Sequence, residues 1–153
     1  MEEQKIINII TNIFNGADKH DWELVSSSFH YEVFIDYFSL SKKPGEKLKS
    51  DEIIDGWRSF LPKFKFTHHL ITNFEVAVTE ANASAFCKGH AFHHLPDAEG
   101  GDIWTTIGTY DFKLVKISDK WKVNSIIFNL LYEEGNKNLA AIAMKEANTS
   151  EGD

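Results

Sequence analysis

The chain of 153 residues holds one cysteine, three prolines and no extended run of apolar side chains. Without a second cysteine, Cys87 cannot close an intrachain disulfide, which fits a reducing compartment and makes a cytoplasmic location the expectation. A bilayer span needs roughly 18 consecutive apolar residues, and no such run exists, so no membrane partner is expected. Basic charge is also scarce, with 16 Lys and Arg against 23 Asp and Glu and a formal charge of −7. That balance excludes a sequence-independent grip on nucleic acid or anionic lipid, since both require a basic surface. The opening Met1-Glu2-Glu3-Gln4 has neither a basic n-region nor an apolar h-region, so no secretory signal is read. Metal-site spacings such as HExxH or paired Cys/His are missing. Gly100-Gly101 has no helix after it to cradle a phosphate. No metal and no cofactor are expected.

Aromatic bulk is what the chain does have. Twelve Phe, four Trp and four Tyr are too many for a disordered chain. A chain this long buries roughly 70% of its unfolded surface around one core. Residues 1–147 therefore read as a single domain, and 148–153 as a disordered tail. Ile6, Ile9, Ile10, Ile13 and Phe14 mark one helical face, with Gly16 as its expected end. Asp21 is placed to cap a short second helix carrying Trp22, Leu24 and Val25. Residues 32–38 read as a strand, and the charged segment 41–49, with Pro44 and Gly45, as an exposed loop. A third helix starts at Ser50 or Asp51 and stops before Pro62. Four long strands follow near 63–78, 83–95, 102–117 and 121–132, and their short connections make them antiparallel neighbours. Gly135-Asn136 begins a last, short helix. The fold class is α+β, with helices on one face of a curved antiparallel sheet.

Side-chain parity assigns the faces. In 83–95 the small row Ala83, Ala85, Cys87, Gly89, Ala91 and His93 stands opposite Ser84, Phe86, Lys88, His90, Phe92 and His94. In 102–117 the inward row is Trp104, Thr106, Gly108, Tyr110, Phe112 and Leu114. The outward His90, Phe92 and His94 are too aromatic for bare solvent and point to a homo-oligomer, read as a dimer. Trp57, Trp104 and Tyr132 are candidates to line an apolar cavity. Cys87, mid-strand among small apolar side chains, has nothing beside it to activate a thiolate.

His68, His69, His90, His93 and His94 are five of the seven histidines and fall within 27 residues. Imidazole, with an ordinary pKa near 6.5, suits proton transfer at neutral pH. A metal site on His90 and His94 lacks a ligand spacing to support it. The other reading is an acid–base pocket in which one or two histidines work with Asp18, Asp36 or Tyr37. Parity across 63–78 groups His68 with Phe64, Phe66, Leu70, Phe74 and Val76, which would bury His68 rather than His69.

Several ordered strings then become familiar: Asp18-xx-Asp21-Trp22, Ile35-Asp36-Tyr37, Thr67-x-His69-xxx-Asn73, Ala91-x-His93, Gly101-xx-Trp104, Gly108-x-Tyr110, Trp121-Lys122-Val123 and Gly135-Asn136. Over residues 4–145 their order and spacing resemble the NTF2-like superfamily and its SnoaL-like branch. The resemblance implies a cone-shaped curved sheet packed against three helices from the N-terminal half, with a short C-terminal helix. Matched to the scytalone dehydratases within that superfamily, it implies Asp18, Tyr37, His69 and either His93 or His94 as catalytic groups, with the Ala-x-His string and parity choosing His93. On that pattern Asp18 orients His93 and favours its protonated form. The implied substrate-binding residues are Trp57, Asn73, Trp104, Tyr110 and Phe128. Ala17, Gly108 and Tyr110 replace a tyrosine, a serine and an asparagine of that pattern, which argues against a shared substrate. Choosing His69 over His68 requires a β-bulge between Asn73 and Val76. The implied activity is that of a cofactor-independent lyase or isomerase on a small, partly apolar hydroxylated or carbonyl compound. The other class left open is a non-catalytic domain that binds a small-molecule ligand.

Overall fold

A computed structural model describes residues 1–150, with side chains through 145. Helix α1 (Glu2–Lys19) buries Ile6, Ile10, Ile13, Phe14 and Ala17 along one stripe. It runs through Gly16 rather than ending there. A Cβ at Gly16 would lie 2.7 Å from Val25 Cγ2, so this glycine lets the next helix approach. The stop is His20, left-handed at φ 59°, whose N–H reaches back to Ala17. Helix α2 (Trp22–Ser28) begins as expected, with Asp21 Oδ1 accepting from Leu24 N–H at 3.1 Å.

Strand β1 (Phe29–Asp36) lies earlier than the expected 32–38, because Tyr37 turns the chain into a one-turn helix α3 (Phe38–Ser41). The segment expected as loop contains strand β2 (Glu46–Lys49), antiparallel to β1. An edge strand tolerates such charge because its side chains face water, and Lys47 sits 3.4 Å from Glu32 across the pair. Helix α4 (Ser50–Phe60) and a 3₁₀ turn (Leu61–Lys63) lead into four long strands: β3 (Phe66–Thr79), β4 (Asn82–His94), β5 (Ile103–Ile117) and β6 (Lys120–Gly135).

All six strands form one sheet in the order β2-β1-β6-β5-β4-β3. Every pair is antiparallel except β1 with β6, which is parallel. The four long strands are antiparallel neighbours as expected, while β1 and β6, far apart in the chain and joined by a long crossover instead of a hairpin, pair parallel. Buried Phe112, Leu114, Val123 and Ile126 of the sheet pack against Ile6, Ile10 and Ile13 of α1 and Val25 of α2. Each such side chain contributes roughly 1.5–3 kcal/mol when fully buried. A smaller cluster of Phe64, Leu95, Trp104, Leu139 and Ala143 holds helix α5 (Leu139–Ser150). Asn136 does not start that helix. Its amide donates to the Glu99 and Gly101 carbonyls, at 3.0 and 2.8 Å, and its Oδ1 accepts from Asn138 N–H. The tail expected from residue 148 overlaps this helix at 148–150 and otherwise lies outside the described residues.

Of the register shifts in the sheet, two correct the faces expected for His68 and Tyr132. In β3 the register shifts between Thr72 and Glu75, with Asn73 left-handed at φ 58°. Thr67, His69 and Ile71 therefore face the helices before the bulge, and Phe74, Val76 and Val78 after it. His68 is exposed, which corrects the simple parity reading. In β6, Ile107 pairs with Tyr132 but Gly108 with Leu130, leaving Leu131 unopposed. Tyr132 consequently turns outward, 50% exposed, and does not line a cavity.

Candidate active site

Asp18 lies in the last turn of α1, the negative end of the helix dipole, where a carboxylate gains nothing for the helix. Its partners come from β3. Oδ1 accepts from Thr67 Oγ1 at 2.9 Å and pairs with His69 Nδ1 at 2.7 Å, while Oδ2 accepts from His69 N–H at 2.8 Å. Burial pushes the Asp18 pKa up, but the hydrogen bonds and charge of His69, with help from Thr67, outweigh it and hold the carboxyl below its ordinary value. An ionised Asp18 can only accept, so His69 Nδ1 carries a proton, and in the neutral ring Nε2 is the free basic nitrogen. Both side chains are largely shielded, at 12% exposure for His69 and 15% for Asp18.

His93, on the inner face of β4, is buried and gripped differently. Nδ1 lies 3.0 Å from the Trp104 carbonyl, which can only accept, so Nδ1 again bears the proton. The Trp104 indole stacks on the imidazole, with centroids 4.2 Å apart at 27°. Burial pushes the His93 pKa down to about 4, with His69 adding to the fall and the Trp104 carbonyl and Asp18 opposing it. His93 is therefore neutral at neutral pH. This corrects the expectation that Asp18 orients and protonates His93: the carboxylate is engaged by His69 instead. The two imidazoles stand 6.5 Å apart, nearly perpendicular at 77°.

Two phenols complete the polar inventory. Tyr37 follows β1 and Tyr110 lies in β5; a side-chain hydrogen bond links them, and burial raises both above the ordinary phenol value. Gly89 makes room for Tyr110, since a Cβ there would sit 2.4 Å from its ring. At Gly108, where the dehydratase pattern has serine, a Cβ would meet the Asn129 carbonyl at 2.3 Å and the Phe128 ring at 2.8 Å. Glycine is what the packing permits.

These groups meet at a cavity of about 240 Å³. His69, His93, Tyr37 and Tyr110 line it with Thr106, and Trp57, Trp104, Phe14 and Phe128 form much of the apolar wall. Among the described residues no Lys, Arg, Asp or Glu lines it, and Asp18 stands behind His69. Of the residues expected from sequence, Asn73 falls elsewhere: it is exposed at the β3 bulge, away from the cavity lining. His94 turns outward, stacked on Phe66, with Nδ1 3.8 Å from Asp102. Asp36 accepts from Phe38 N–H and serves the turn into α3. Cys87 is fully buried, its thiol pushed up to about 12 by burial and by Asp111. Among the described residues no three His, Cys, Asp or Glu side chains gather as a metal site would need. Among the residues that meet in the site, Thr67 and Thr106 had no role expected from sequence. Thr67 stood inside a noted string without a role, and Thr106 gave no signal beyond its inward parity.

This chain belongs to the SnoaL-like domain family, whose profile matches residues 2–126. The fold is that of the NTF2-like proteins. It is similar to the Kfla4162 protein of Kribbella flavida, 26% identical over 91% of this chain and 96% of the other, with a TM-score of 0.86. A candidate scytalone dehydratase of Novosphingobium aromaticivorans is 18% identical over 88% of this chain and 87% of its own, at a TM-score of 0.73. The type 3 hexachlorocyclohexane dehydrochlorinase LinA of Novosphingobium barchaimii is 12% identical over 88% and 90%, at a TM-score of 0.71. No curated protein sequence matches the chain.

Proposed function

We propose that this protein is an acid–base lyase or isomerase, working without a cofactor on a small, partly apolar hydroxylated or carbonyl compound. The observation that carries the reading is the Asp18–His69 pair, whose tautomer leaves Nε2 as a base on an imidazole that lines the apolar cavity. In a dehydration, His69 Nε2 removes a proton from the carbon beside the substrate carbonyl. Tyr37 donates to the oxygen on which negative charge collects. The carbon–oxygen bond to the hydroxyl then breaks as the His69 imidazolium returns its proton to it, so water leaves and the ring is neutral again. Ionised Asp18 stabilises the imidazolium between these two transfers. Neutral His93 presents Nε2 as an acceptor to a substrate hydroxyl. A carrier would need only the Phe and Trp walls, and the buried carboxylate–imidazole pair is what such a protein has no use for.

The test is turnover of a panel of small cyclic β-hydroxy ketones. His69→Ala and Asp18→Asn are each expected to lower it by about 10² to 10⁴, the usual value of a placed acid–base group, with circular dichroism unchanged. Equal turnover in both variants and the parent would remove these residues from the chemistry.

We further propose a cytoplasmic dimer. Among the described helices none is long and apolar enough to cross a membrane, and the lone cysteine fits a reducing compartment. Phe66 and Leu70, 48% and 49% exposed beside His68, His90 and Phe92, give the outer sheet face an apolar surface suited to a second copy. Light scattering that shows a monomer at micromolar concentration would reject the dimer.

A further inference from the structure

The bulge at Leu131 turns one further side chain inward besides sending Tyr132 out. Beyond it Glu133 pairs with Thr106 and Gly135 with Trp104, so Glu133 stands diagonally across from Trp104 on the cavity side of the sheet. The Glu133 carboxylate Oε2 accepts from the Trp104 indole Nε1–H at 2.8 Å, a part-buried contact. Trp104 in turn holds His93 twice, through its carbonyl on Nδ1 at 3.0 Å and through its ring stacked at 4.2 Å. Among the described residues no other hydrogen bond is made by the His93 side chain. Two rings flank the imidazole, Trp104 at 4.2 Å and Phe64 at 5.2 Å, and the nearer, stacked Trp104 ring sets the plane in which it lies.

We propose that Glu133 is a positioning residue for the site: it fixes the plane of the Trp104 indole and, through that ring, the direction in which His93 presents Nε2 to the cavity. This rests on the reading that the cavity is an acid–base site, but the contacts behind it are separate from those of Asp18 and His69. An indole has two torsions to settle. Stacking on an imidazole restrains its plane but leaves it free to slide and rotate over the other ring. A charge-assisted hydrogen bond to Nε1, about twice as strong as a neutral one, removes that freedom. It also satisfies the one polar atom of the indole with a carboxylate that is not part of the cavity lining.

The experiment is NMR of the full-length chain, isotope-labelled in Trp and His, and requires no substrate. Glu133→Ala is expected to move the Trp104 indole proton upfield and make it exchange faster with water. It is expected to displace the His93 ring signals while those of His69 stay in place. Glu133→Gln, which keeps an acceptor oxygen and drops the charge, should give a smaller displacement in the same direction. Unmoved His93 signals in folded Glu133→Ala overturn the proposal. Equal displacement of His93 and His69 also overturns it, since that marks general loosening. If Glu133→Ala does not fold, the smaller displacement in Glu133→Gln, present or absent, decides the matter. A chain that turns over no substrate can still pass this test, and an active one can still fail it, so the two readings are judged apart.

Discussion

His69 and His93 face one cavity from neighbouring strands, yet the fold treats them oppositely. His69 is held by a buried carboxylate and keeps a countercharge ready for its protonated state. His93 is held by a carbonyl and an indole and is kept neutral by burial. On the proposed function, one imidazole changes its charge during the reaction and the other keeps it. What separates them is the second residue each touches, since sequence neighbourhood and strand face are alike.

The sharpest way to break this contrast is to exchange the losses. His69→Ala should lower turnover by about 10² to 10⁴. His93→Gln, which removes one ground-state hydrogen bond worth about 1.5 kcal/mol, should cost only about tenfold. Equal effects would mean that the two imidazoles share one role. Next in size, Tyr37→Phe should cost about 10² to 10³, the usual loss for one donor at a developing oxyanion, and Tyr110→Phe less, because it acts through Tyr37. Kinetics on the two variants separates them.

Stability against pH probes the same contrast without any substrate. His93 has a lower pKa folded, about 4, than unfolded, near 6.5. Its contribution is therefore unpenalised above pH 6.5, and stability falls as the pH drops from there towards 4. The loss is at most about 3 kcal/mol. Asp18, whose pKa is lowered on folding, contributes above the ordinary carboxylate range and loses that contribution only as the pH falls through its folded value. Urea melts between pH 7 and pH 4 should show the first window, and His93→Gln should flatten it. The smallest effect expected is that of Thr67→Val, which deletes one hydrogen bond to the Asp18 carboxylate and should cost about 1–2 kcal/mol, read from the same melts.

Where strands are regular, the sequence was readable. The inner rows of β4 and β5 follow from alternation alone, residue by residue, and they supply His93, Trp104, Thr106 and Tyr110. Where a strand carries a bulge, alternation misleads. In β3 it selected His68, and only the family resemblance, with the bulge it demanded, pointed to His69. In β6 nothing marked Leu131 as the unopposed residue, so Tyr132 was expected inside and Glu133 went unnoticed. Strand β2 was hidden by its charges, which an edge position permits. The pairing of Asp18 with His69 rather than His93 was illegible for a different reason. It depends on how the end of α1 settles over β3, a tertiary distance that no local pattern encodes.

The parallel union of β1 with β6 has a consequence for how the protein comes to be made. Tyr37 follows directly from β1, and Phe128, which closes the cavity beneath it, arrives with the last strand. As the chain leaves the ribosome, Asp18, His69 and His93 have all emerged before the rear of their chamber exists. Late-forming contacts between distant segments are slow to be made. The cavity is therefore closed only when β6 joins the sheet, after the strands that carry His69 and His93 have been made.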